Sequence, residues 1–97
     1  DHEDFDSIVV ELGEVDSPEA LGAKIERIAR EQNILRVKGY AAVKSKPMRL
    51  LFQAVGSRVR AQYDRPWKAE EPHRGRLVVI AEHDDISRDR IEAVLKG

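Results

Sequence analysis

The chain has 97 residues, 41% of them hydrophobic, 36% charged and 5% aromatic, with a formal net charge of −1. That is one domain's length of chain, too apolar for a disordered segment and too charged for a membrane protein, and its longest apolar runs fall far short of the ~20 residues a spanning helix needs. The absence of cysteine excludes a disulfide framework, a thiolate nucleophile and a cysteine-rich zinc site.

The acidic start Asp1-His2-Glu3-Asp4 lacks the basic and apolar stretches of a secretory signal, so the cytoplasm is the expected setting. Phe5, Ile8, Val9, Val10, Leu12 and Val15 form a β-branched-rich run that predicts a first strand over 5–15. Ser17 is a good helix N-cap, Pro18 suits the first helical position, and Leu21, Ile25, Ile28 and Ala29 make one apolar stripe, predicting a surface helix over 18–32.

Residues 34–43 alternate, with Leu35, Val37, Gly39 and Ala41 expected on one side and Arg36, Lys38, Tyr40 and Ala42 on the other. The polar connector Lys44-Ser45-Lys46-Pro47 predicts a hairpin into a third strand over 48–55, and Gly56-Ser57 a turn into a fourth over 58–63. A loop is expected from Arg65 to Gly75 because of Pro66, Pro72 and Gly75, then a fifth strand over 77–81. Asp84, Asp85 and Ser87 offer caps for a closing helix with its stripe at Ile91, Val94 and Leu95. The expected fold is a two-layer α+β domain of order β-α-β-β-β-β-α. Its five-stranded sheet is largely antiparallel (mixed), with both helices on one face.

Leu50 and Leu51, and Val79 and Ile80, are adjacent apolar pairs in strands, so each pair must send one side chain to each face of the sheet. A second sheet face with apolar content is therefore expected, either as an exposed patch or buried in a homodimer, with Arg36, Lys38, Arg58 and Arg60 rimming it. The charge is segregated: residues 1–16 hold seven acids and no base, and residues 34–68 hold nine bases against the single acid Asp64. Arg36, Lys38, Tyr40, Arg58 and Arg60 form the candidate interaction surface.

No glycine-rich phosphate loop ending in Gly-Lys-Ser/Thr occurs, and Ser7, Ser17 and Ser45 lie outside any Gly-x-Ser-x-Gly elbow. No catalytic residue is assigned. Asp1-His2-Glu3-Asp4 and His83-Asp84-Asp85 combine metal-ligating types, yet adjacent residues on an extended chain diverge, so neither makes a preformed site and no metal or cofactor residue is assigned. His73 is expected to be exposed, with Glu70 and Glu71 its only local carboxylates. A base-stacking sheet needs two or three exposed aromatics in register, and only Tyr40 is placed for it, so nucleic acid is the lesser reading.

Ile34-Leu35-Arg36-Val37-Lys38-Gly39-Tyr40, Lys46-Pro47-Met48-Arg49-Leu50, Asp64-Arg65-Pro66-Trp67 and Arg76-Leu77-Val78-Val79-Ile80 together resemble the C-terminal domain of the CobW-like P-loop GTPase metallochaperones. The resemblance covers almost the whole chain as a single domain over 1–97, with residues 1–4 expected to be a linker remnant. It departs at Ala81, where glycine is expected. It implies a parent protein whose N-terminal GTPase domain binds GTP and Mg²⁺, carries the metal-binding cysteine motif with cobalt or zinc as its metal, and delivers cobalt in cobalamin biosynthesis, with cobaltochelatase subunits as receivers. This domain is then a non-catalytic accessory module without a cofactor of its own. Its implied partners are its own GTPase domain and, beyond it, the receiver or a second copy. The alternative is a small ligand- or nucleic-acid-binding module using the basic sheet face.

Overall fold

A computed structural model of the chain describes residues 5–82 and 86–97. The elements run β1 (Phe5–Leu12), α1 (Pro18–Gln32), β2 (Ile34–Ala42), β3 (Met48–Val55), β4 (Arg58–Pro66), β5 (Gly75–Glu82) and α2 (Arg88–Lys96), as the sequence order predicts. The Ser17 side chain accepts the Ala20 N–H at 3.0 Å, and Asn33, in the left-handed conformation, ends the helix. Ser87 caps α2 by accepting from Arg90 N–H. The proposed caps Asp84 and Asp85 lie outside the described residues, as do His2 and His83.

The sheet order is β1-β5-β2-β3-β4, with every neighbouring pair antiparallel. β2, β3 and β4 form the expected meander. β5 inserts between β1 and β2, which makes those two parallel to each other and leaves α1 as the crossover of a split β-α-β unit. β1 stops earlier than predicted, at Leu12, because the chain leaves β5 there. Val15 instead makes an isolated parallel bridge with Val43, donating its N–H to Ala42 O at 2.8 Å.

The core lies between the sheet and the helices. Val10, Val37, Ala41, Leu50, Phe52, Leu77 and Val79 from the sheet meet Leu21, Ile25, Ile28, Ile91, Val94 and Leu95 from the helices, all buried. Gly39 is required where β2 crosses β5, since a Cβ there would stand 2.0 Å from the Arg76 carbonyl oxygen. The predicted alternation of β2 is displaced at its start. A bulge between Ile34 and Arg36 turns Ile34 into the core and leaves Leu35 half-buried. β4 runs through Pro66, beyond the expected end, because an edge strand needs no outward N–H there.

Candidate interaction face

Side chains of the opposite parity fill the face that the helices leave uncovered. The strand register sets them in rows: Ser7, Ile80, Arg36, Val55 and Arg58 across one, then Val9, Val78, Lys38, Gln53 and Arg60, then Glu11, Arg76, Tyr40, Leu51 and Gln62. All five candidate residues, Arg36, Lys38, Tyr40, Arg58 and Arg60, therefore share this face. Their arrangement differs from the expected rim. β5 and β3 present mainly apolar columns (Val78 and Ile80, ending at Arg76; Leu51 and Val55, with Gln53 between them), β2 and β4 carry the bases Arg36, Lys38, Arg58 and Arg60, and the two kinds alternate. The reason is topological: inserting β5 beside β2 puts a basic strand in the middle of the sheet. Val78, Ile80 and Leu51 are half-buried, and Val55 is 58% exposed.

The bases on this face differ from those elsewhere. Each base on the helices has a partner: Arg27 and Arg90 bond Glu31, Arg30 pairs with Glu26, Arg88 and Lys96 hold Glu92, and Lys24 donates to the carbonyls of Leu95 and Gly97. Among the described residues, Arg36, Lys38, Arg58, Arg60 and Arg76 on the open face have no carboxylate partner. The near-zero net charge is thus neutralised within the helical layer and left unbalanced on the sheet face.

One end of the face is covered by the strap 67–74, which carries the chain from the β4 edge back to β5. Trp67 N–H donates to Pro47 O at 3.0 Å, and the Trp67 ring meets Tyr40 edge-on with centroids 6.2 Å apart. His73 stacks on Trp67 at 5.1 Å and its Nδ1 lies 3.9 Å from Glu14. Arg65 holds Glu71 through two 2.8 Å bonds, and Lys68 N–H adds a third at 2.8 Å. These donors bring the Glu71 carboxyl down from 4.5 to about 2. Arg49 lies over the Tyr40 ring, 5.0 Å from its centroid, and forks onto Asp64.

Tyr40 is consequently a buttress of the strap, with Arg49 on one face and Trp67 at its side. That removes the aromatic on which base stacking depended. His73 is half-exposed as expected, but its carboxylate neighbour is Glu14, distant in sequence and not visible to local reading. The sequence reading also passed over Arg76, although the alternation Arg76, Val78, Ile80 against Leu77, Val79, Ala81 carried the signal for its face. Among the described residues no group of three His, Cys, Asp or Glu side chains is gathered closely enough to hold a metal ion.

This two-layer fold with an alternating basic and apolar sheet face matches a known family over nearly all its length. Residues 5–97 match the family described as the cobalamin synthesis protein CobW C-terminal domain, and the chain belongs to that family. It is 51% identical over 84 residues to the zinc chaperone CobW of Sinorhizobium sp, an alignment covering 87% of this chain and 24% of that protein. Its identity to the zinc chaperone CobW of Pseudomonas aeruginosa is 49% over 82 residues, covering 81% of this chain and 21% of the relative. Among solved structures it is similar to the Zn(II)-bound YjiA GTPase of Escherichia coli, with TM-score 0.72 and 34% identity, covering 94% of this chain and 28% of that one. The chain therefore spans about a quarter of the length of these relatives.

Proposed function

We propose that the chain is the non-catalytic interaction domain of a GTP-dependent metallochaperone, and that its open sheet face docks an acidic surface of the parent protein's own GTPase domain. The observation that carries this is the segregation of unpaired bases. Cations that could have been neutralised locally, as on the helices, stand free beside apolar residues on a single face. Interfaces combine desolvated apolar residues with charges that find counterparts on the partner. The face is only a few strands wide, which suits a partner held nearby on the same polypeptide, where effective concentration makes up for modest area.

For the parent protein we assign zinc as cargo in preference to cobalt, supported by the zinc-chaperone descriptions of CobW and YjiA and by the Zn(II) in the YjiA crystal. A place in cobalamin synthesis is supported by the family's description. The test is calorimetry. The chain titrated with the GTPase domain of its own polypeptide is expected to bind saturably, more weakly as salt rises, while the chain titrated with GTP and Mg²⁺ gives no signal. Micromolar GTP binding by the chain alone, or salt-independent association through the helices, overturns this reading.

A further inference from the structure

Beneath the strap lies a cavity of about 230 Å³ lined by Glu11, Tyr40, Trp67, Glu71, Pro72, Arg74, Gly75 and Arg76. Three of its wall residues offer donors without acceptors. Arg74 and Arg76 have no carboxylate partner among the described residues, and the indole Nε1 of Trp67 is shut off from solvent with no hydrogen-bond partner. The indole N–H, closed to solvent, lies within the wall as a reporter, and the donors open to an arriving anion are the exposed Arg74 and Arg76 guanidiniums. Of the two wall carboxylates, Glu71 is already satisfied by Arg65 and Lys68 N–H. Glu11 stands directly across from Arg76 in the β1–β5 register yet forms no ion pair with it.

We propose that this cavity receives a carboxylate group of the docking partner, held between the Arg74 and Arg76 guanidiniums. The inference rests on the docking reading above and specifies its anchor point: Tyr40 and Arg76 belong both to the cavity and to the open face. Its volume is ample for a short acidic side chain. Arginine's planar fork suits a carboxylate's two oxygens. The strap's bonds through Arg65, Glu71 and Trp67 pre-order the walls, so little conformational freedom is lost on binding. Glu11, in the same wall and not paired with Arg76, opposes the incoming carboxylate by like-charge repulsion and so limits its affinity.

The chain has a single tryptophan, so its indole N–H gives one resonance in a nitrogen–proton correlation spectrum. Sodium acetate, titrated against sodium chloride at equal ionic strength, is expected to move that resonance saturably, with a dissociation constant around the millimolar range. Arg76→Ala and Arg74→Ala should each weaken binding about tenfold while the other backbone resonances stay in place, and Glu11→Gln should tighten it. No saturable movement, or binding unchanged in both arginine variants, overturns the proposal. Inorganic phosphate binding tenfold tighter than acetate overturns the carboxylate assignment. Because no GTPase domain enters this experiment, acetate binding without domain docking would leave the cavity standing and sink only the docking reading.

Discussion

Arg65 and Glu71 close the strap with two parallel bonds of 2.8 Å, joining the end of the edge strand to the loop that leaves it. The Glu71 carboxyl is held at about 2 against its ordinary 4.5, so the folded pKa is depressed and the unfolded state binds more protons in this range. The strap's contribution to stability is therefore complete above pH ~4.5 and is lost as pH falls through about 2. Trp67 emission followed down this range should report the strap's release, and Glu71→Gln should abolish the acid step and lower the thermal midpoint at pH 7. An acid transition unchanged in Glu71→Gln would assign it to other carboxylates.

The unpaired bases also predict the association state. A twofold dimer through the open face would oppose like charges from Arg36, Lys38, Arg58 and Arg60 of two copies, which is unfavourable at ordinary salt. Sedimentation of the isolated chain should give a monomer, with any self-association appearing only at high salt. Arg36→Glu with Arg60→Glu should change stability by no more than about 0.5 kcal/mol, since neither residue makes a bond that folding needs, while docking of the GTPase domain is lost.

Packing on the other side of the sheet is far less forgiving. Phe52 is fully buried under the helices, and Phe52→Ala should cost about 3–5 kcal/mol by urea titration.

Two glycines should separate sharply under substitution. Gly39→Ala would drive a methyl group onto the Arg76 carbonyl and force β2 from β5, for a loss of about 3 kcal/mol or more. Gly56→Ala has open space around it and meets only the left-handed backbone at φ 56°, so about 1 kcal/mol is expected. Equal costs for the two would contradict the close strand crossing.

What the sequence made legible was local. Ser17, Pro18 and one uninterrupted stripe delimit α1 correctly because cap, first turn and buried face all agree. The apolar pairs Leu50-Leu51 and Val79-Ile80 correctly require two faces, and four of the five candidate residues stand on the open one with no carboxylate partner among the described residues. The failures are long-range. Nothing local to β5 says that it enters between β1 and β2, so the expectation of a basic rim gave way to alternating columns. The bulge at Leu35 and the continuation of β4 through Pro66 depend on which neighbour a strand has, and Tyr40's engagement depends on a strap read only as a proline-marked loop.

The alternating columns act as a ruler for whatever docks across them. Neighbouring strands stand about 4.8 Å apart, so columns of like character repeat at roughly 9.6 Å. A partner displaced by one strand would set its carboxylates over Val78, Ile80, Leu51 and Val55 and its apolar groups over Arg36, Lys38, Arg58 and Arg60. A displacement of two strands restores the match but forfeits half of the overlap. Sideways slippage is thereby penalised at every step, and a face made of short alternating columns can define a single position without a deep pocket at each one.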